Sequence, residues 1–168
     1  EPWIVLATDS NNSSKTSYRG KHISVLKGSP SEVWFARMAD YAVDYEASKY
    51  NAQHPISLIN WPVLDSMRHV TEANFGEEIK IRRNMGEDIK EVVIPKIYDG
   101  DAASLDVNSL KAEKIFKAGI FASFHVYSHW PNFLFNEPEY IKASDSYGPN
   151  RFLGYLLEIK KHNRNMPL

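Results

Sequence analysis

The sequence predicts an α/β fold with a parallel sheet, and three observations carry that reading. Strand-like and helical segments alternate along the chain, in the order helix, strand, long polar stretch, short strand, strand, loop, helix, incipient strand. One helix, over 30–50, is delimited by its own capping signals. Two apolar runs, 55–62 and 120–131, each end abruptly in polar and aromatic residues, the composition of buried strands whose ends face a ligand.

Taken in order, residues 3–7 form a short apolar opening, and 9–17 read as a polar loop rich in Ser and Asn. Ile23-Ser24-Val25-Leu26 reads as a strand. Ser29-Pro30-Ser31-Glu32 is a capping box with proline in the first turn. Trp34, Met38, Tyr41, Ala42 and Tyr45 then fall on one helical face, so the helix is expected over 30–50. A turn at 51–54 leads into the strand Pro55-Ile56-Ser57-Leu58-Ile59-Asn60-Trp61-Pro62, which stops at a polar and aromatic pair.

From 63 to 100 the chain becomes polar and charged. Residues 66–100 read as an excursion over the strand ends or an insertion, with 79–81 and 92–97 able to pair as a small hairpin. A short strand is expected at 103–107 and a helical turn or two at 109–117. After the run Ile120-Phe121-Ala122-Ser123-Phe124-His125-Val126-Tyr127-Ser128-His129-Trp130-Pro131 comes a loop at 131–147. A last helix is expected over 150–162, with Asn150 as its cap and Phe152, Leu153, Leu156, Leu157 and Lys160 on one side. No internal repeat or low-complexity tract is present.

Composition narrows the class. The 168 residues are 43% hydrophobic and 24% charged with a net charge of -1, as expected of one globular domain. The 20 Lys and Arg are dispersed among 21 acidic residues, which argues against a nucleic-acid partner because phosphate binding calls for a basic stripe. No apolar run approaches the roughly 20 residues of a membrane span, and no segment reads as a signal peptide. The absence of cysteine excludes disulfides and thiolate chemistry. Four Trp and nine Tyr suit a protein that stacks flat ligands or sugar rings, although an aromatic core gives the same count.

Side chains alternate along a strand, so Ser123, His125, Tyr127 and His129 are expected on one face and Phe124, Val126 and Ser128 on the other. His125 and Tyr127 read either as ligand-facing groups or as core residues satisfied by hydrogen bonds. Asn60 and Trp61 offer an amide for hydroxyl recognition and an indole platform, or else a buried Trp beside a structural Asn. Asp65 and Asp106 follow strands and read as candidate carboxylates or as turn formers. Glu137 and Glu139 follow the His-rich strand on a proline-containing loop and read either as carboxylates within reach of a sugar or as a solvated acidic loop. His125 and His129 are too far apart on a strand to share a metal, and no His-Glu-x-x-His or cysteine spacing supports zinc. No serine elbow and no glycine-rich phosphate loop occurs, so no cofactor is expected.

The run 34–69 resembles a bacterial family of glycoside-hydrolase-like (β/α)8 barrels, through Tyr45-Glu46, Tyr50, His54-Pro55-Ile56-Ser57 and Asn60-Trp61-Pro62-Val63-Leu64-Asp65. Ser104-Leu105-Asp106-Val107-Asn108 and Phe121-Ala122-Ser123-Phe124-His125-Val126-Tyr127 are similar to the same family in the same order. The resemblance implies residues 1–168 as part of a single TIM barrel, roughly its fourth-to-seventh strand region, in the clan of retaining glycosidases. His125 and Tyr127 would then be the His-x-Tyr pair of the sixth strand. By that register the acid/base glutamate would fall just before Glu1 and the nucleophile just after Leu168. Retaining hydrolysis needs two carboxyl groups about 5 Å apart, and the residues present hold no convincing pair.

A full barrel takes about 250 residues, so this chain reads as a piece of one. Open sheet edges and an uncovered apolar face are expected, to be filled by the remainder of the barrel or by self-association. The expected glycan-binding set is Asn60, Trp61, Asp65, His125, Tyr127, His129 and Trp130, with a polysaccharide or oligosaccharide as ligand. The alternative is a noncatalytic carbohydrate-binding or scaffold protein on a degenerate barrel. The resemblance favours an extracytoplasmic location.

Overall fold

The computed structural model describes residues 2–69, 83–84, 86, 88, 103–130 and 133–168. The hairpin expected from 79–81 and 92–97 lies outside the described residues. The fold is mixed α/β, its sheets are small, and among the described residues none closes on itself. The chain forms two compact units: a sheet unit of Trp3–Asn60, Leu105–Phe124 and Asn163–Leu168, and a helical unit of Glu1–Pro2, Trp61–Ser104 and His125–His162.

In the sheet unit, helix α1 spans Pro2–Asn11 and runs on through residues whose Ser and Asn content reads as a loop. Side chains make the difference. The Asn12 amide donates to the Thr8 carbonyl at 2.9 Å, satisfying one of the helix's terminal acceptors. The Ser31 amide donates to Asp9 Oδ1 at 2.8 Å, which ties α1 to the start of the next helix.

Strands β1 (Tyr18–Arg19) and β2 (Ile23–Val25) follow, and then helix α2, Pro30–Tyr50, with the boundaries expected. Its capping box is fully formed: Glu32 N–H donates to Ser29 Oγ at 3.2 Å, and Ser29 N–H to Glu32 Oε2 at 2.8 Å. Asn51 ends the helix in the left-handed conformation (φ 52°), which Asn tolerates better than most residues, and its amide closes on the Ala47 carbonyl. The buried side of α2 is lined by Val33, Ala36, Ala39 and Val43, while Trp34, Met38, Tyr41 and Tyr45 are exposed on the other.

Strand β3, Ile56–Asn60, pairs in parallel with β5, Ile120–Phe124, in the register Ile56↔Ile120 to Asn60↔Phe124. Strand β4 occupies Leu110–Ala112, where a helical turn was expected, and 103–107 is not a strand. The reason is local. Asp106 accepts the Asn108 amide at 2.9 Å and starts a 3-10 turn, Val107–Ser109, before the chain can extend. β4 then pairs antiparallel with β2, and β2 with β1, so a three-stranded antiparallel sheet stands beside the parallel pair.

The core joins Ile23 and Val25 from β2 and Val33, Ala36, Ala39 and Val43 from α2. Leu58, Val107, Leu110, Phe116 and Ala122 complete it. Leu58 and Ala122 thus lie on the packed side of the parallel pair, while Ile59, pointing the other way, is exposed. At the edge of β5 away from β3 the Ala122 amide donates to the Pro167 carbonyl at 2.8 Å, which ties the C-terminal residues to that strand.

Asp40 anchors this unit. Its carboxylate accepts the His22 and Ile23 amides at 2.6 and 2.8 Å, the Tyr18 hydroxyl at 2.9 Å and the Lys21 amide at 3.3 Å. Burial alone would raise its pKa. The four donors outweigh burial and hold it below the usual carboxylate range.

In the helical unit a 3-10 turn, Pro62–Leu64, is followed by the short helices α3 (Phe133–Asn136) and α4 (Pro138–Ile141). The β6–β7 hairpin (Ser144–Asp145 with Gly148–Pro149) and helix α5 (Arg151–His162) come next. Gly148 closes the hairpin at φ 128°, a conformation open to glycine. Asn150 caps α5 through its side-chain oxygen, which accepts the Leu153 amide at 3.0 Å. No described helix is long and apolar enough to cross a membrane.

Asp40→Asn should lower the unfolding free energy by about 2–4 kcal/mol, because donors that converge on a charge lose it while staying buried. A depressed carboxylate stabilises the fold above its unfolded pKa, and the gain is lost as pH falls through the folded value. Urea titrations at pH 7 and pH 3 should therefore show the difference between wild type and variant shrinking at the lower pH. An equal difference at both would reject the charged anchor.

Candidate functional site

Trp61 leaves the end of β3 in an extended conformation (φ -144°, ψ 164°), as expected of a residue that precedes proline. The Leu64 amide closes a turn on the Trp61 carbonyl at 2.9 Å, which fixes the backbone that carries the indole. In the second run the extended backbone stops at Phe124. Tyr127 and Trp130 pair across a tight turn made by Ser128 and His129, so the strand alternation expected through His129 gives way at this point. A cross-paired turn places its two end residues side by side, which brings the Tyr127 and Trp130 rings together.

Four rings result in one cluster. Trp61 and Trp130 lie tilted with centroids 5.4 Å apart, Tyr127 meets Trp130 edge-on at 5.8 Å, and Tyr127 meets His129 edge-on at 6.3 Å. They line an open pocket of about 240 Å³, with Tyr127, His129 and Trp130 exposed and Trp61 half-buried. Pockets for drug-sized ligands measure about 300–1,000 Å³, so this one suits a single ring of a larger ligand. All four described lining residues are aromatic, and no carboxylate is among them.

The other expected site residues stand elsewhere. Asn60, 3% exposed, donates its amide to the Leu105 carbonyl at 2.7 Å within the sheet unit, which locks the end of β3. His125 is exposed and does not line the pocket. Asp65, 1% exposed, accepts the Met67 amide at 2.9 Å and the Tyr155 hydroxyl at 2.8 Å. Asp65 and Asp106 therefore both form turns, the second of the two readings open for them. No group of three or more His, Cys, Asp or Glu among the described residues is arranged to hold a metal.

Asp65 leads to a buried network that the sequence reading missed. His69, one helical turn's spacing after Asp65, is fully buried and stacks on Phe133 at 3.7 Å between centroids, with Tyr140 and Tyr155 edge-on around it. His69 Nε2 lies 2.9 Å from the Tyr140 hydroxyl, which donates its single proton to Glu158. The Tyr140 oxygen can then only accept from His69, so the imidazole carries its proton on Nε2. Burial pushes the His69 pKa down to about 3, and burial with the Glu158 hydrogen bond pushes that of Tyr140 up. The imidazole at the centre of the network is neutral, with the Asp65 carboxylate 3.9 Å from Nδ1 and the Glu158 carboxylate on the Tyr140 hydroxyl. The only signal for the network in the sequence is the four-residue spacing of Asp65 and His69.

Compared with protein-family models, with curated proteins and with solved structures, the chain has no significant match in any of the three.

A histidine whose pKa falls on folding makes the unfolded state bind more protons than the native one between about pH 6.5 and pH 3. Stability therefore falls as pH drops through that window, by up to about 1.4 kcal/mol per pH unit. His69→Phe keeps the stack on Phe133 and removes the titrating group. It should cost about 1–3 kcal/mol at pH 7 and flatten the pH dependence of unfolding between pH 6 and pH 4 by about one proton. A slope identical to wild type in that window would place the acid sensitivity elsewhere.

Proposed function

We propose that this chain is a carbohydrate-active protein of the glycoside-hydrolase-like (β/α)8 class, and that its glycan docks on Trp61, Tyr127, His129 and Trp130. The observation that carries the reading is the four-ring pocket: indole faces match the apolar C–H face of a pyranose, while the imidazole and phenol can hydrogen-bond ring hydroxyls. The parallel register of β3 and β5 supports the barrel, because parallel strands belong to architectures covered on both faces. The Ala122 to Pro167 hydrogen bond is compatible with it, since it shows that the edge of β5 facing away from β3 can accept a further partner. Polysaccharide or oligosaccharide is the partner proposed.

A noncatalytic sugar-binding role is the second reading, and the described lining favours it: two indoles, a phenol and an imidazole can hold a sugar, and among the described lining residues there is no acid and nucleophile pair.

Replacing Trp130 or Tyr127 by Ala should weaken oligosaccharide binding about tenfold each and leave far-UV circular dichroism unchanged, since both side chains are exposed. Titrating a panel of neutral oligosaccharides against intrinsic Trp fluorescence tests this. Unchanged affinity in both variants, or no fluorescence response to any member of the panel, would reject the site.

A further inference from the structure

Helix α2 has two apolar faces and its own unit covers one. Val33, Ala36, Ala39 and Val43 are sealed in the core, whereas Trp34 is 60% exposed, Met38 52%, Tyr41 70% and Tyr45 53%. These four follow at spacings of four, three and four residues. That is the seam of a helix made to lie along another helix. An exposed row of large apolar side chains on a single helix face marks an interaction surface.

We propose that this face docks on a second copy of the chain, with α2 packed antiparallel against the partner's α2. In that register Trp34 lies opposite the partner's Tyr45, and Met38 opposite the partner's Tyr41, and the two-fold axis repeats both layers. The positions that flank the seam agree. Arg37 falls beside the partner's Asp44 on one side, and on the other the small, exposed Ala42 leaves room at the seam while Phe35 is partly buried against its own core. Both charges are available to meet: Arg37 is exposed, and the Asp44 side chain is 43% exposed while it holds Lys21 at 2.6 Å and His22 at 3.1 Å.

The antiparallel arrangement also sets each helix's N-terminal dipole end against the partner's C-terminal end. With about 150–250 Å² for each aromatic side chain, the seam offers on the order of 500 Å² per copy. The total is on the order of 1,000 Å², the lower bound for a specific interface. The dimer is therefore a weak one, with its affinity in the micromolar range or above.

Sedimentation equilibrium of the 168-residue chain, from about 1 to 200 μM, tests the proposal, with far-UV circular dichroism to verify folding. Wild type should show reversible dimerisation from its 19.3 kDa monomer. Tyr41→Glu, at the most exposed seam position, should remain folded and monomeric throughout. Arg37→Asp and Asp44→Arg should each weaken the dimer about tenfold, and the double exchange Arg37→Asp with Asp44→Arg should recover most of that loss. A wild-type chain that is monomeric at every concentration would overturn the proposal, whatever other partner the face binds. So would a Tyr41→Glu dimer as tight as wild type, or a double exchange no tighter than the single ones.

Discussion

A single carboxylate, that of Asp40, organises the turn on which the sheet unit depends. The chain between β1 and β2 must reverse within three residues, and in doing so it turns the amides of Lys21, His22 and Ile23 inward, where no strand can pair them. Asp40 reaches out from α2 and accepts all three, together with the Tyr18 hydroxyl. A buried carboxylate is costly alone and favourable when its lone pairs are filled, so the anchor works only as a complete set. Gly20 is part of it. A Cβ at that position would sit 2.2 Å from the Ile23 carbonyl and 2.5 Å from Asp40 Cγ, so no other residue lets the turn close onto the acid.

A second carboxylate on α2 repeats the device. Glu32 completes the capping box with one oxygen and accepts the Asp106 amide at 2.6 Å with the other, so the signal that starts the helix also fastens the loop that precedes β4. The sequence displays the first half plainly, because capping boxes are local in the chain. The second half, and the Asp40 anchor, join residues far apart in sequence and leave no periodic trace. The same division explains which elements were legible. Helix α2 and the strands β3 and β5 announce themselves through caps, length and apolar runs. Strands of two or three residues such as β1 and β4 are set by pairing, and their sequences, Tyr-Arg and Leu-Lys-Ala, carry almost no pattern.

Periodicity also says that a helix has a face without saying which way it turns. On α2 two apolar stripes compete, one of Val and Ala and one of Trp, Met and Tyr. The smaller residues win the core because they let the helix approach the strands closely, and Ala36 and Val43 are almost completely buried as a result. Larger residues would hold it off. At the candidate site the sequence displays the run of rings but not its geometry. Alternation along an extended strand places His125 and Tyr127 together, whereas the turn at Ser128 and His129 instead pairs Tyr127 with Trp130. Where a strand stops thus decides which side chains meet.

The cluster's dimensions limit how it can bind. Trp61 and Trp130 are already in contact at 5.4 Å, leaving no slot for a sugar between them, so a pyranose would have to lie across their outer faces. Each such aromatic contact contributes about 0.5–1.5 kcal/mol, and three together reach roughly the 4 kcal/mol that corresponds to a millimolar dissociation constant. On the proposed function, one sugar ring on this surface would be held weakly, and useful affinity would require either hydroxyl recognition by Tyr127 and His129 or a ligand that extends past the pocket. A chain of several sugars satisfies the second condition and a free monosaccharide does not. The geometry of the rings thus argues for an oligomeric glycan over a simple sugar.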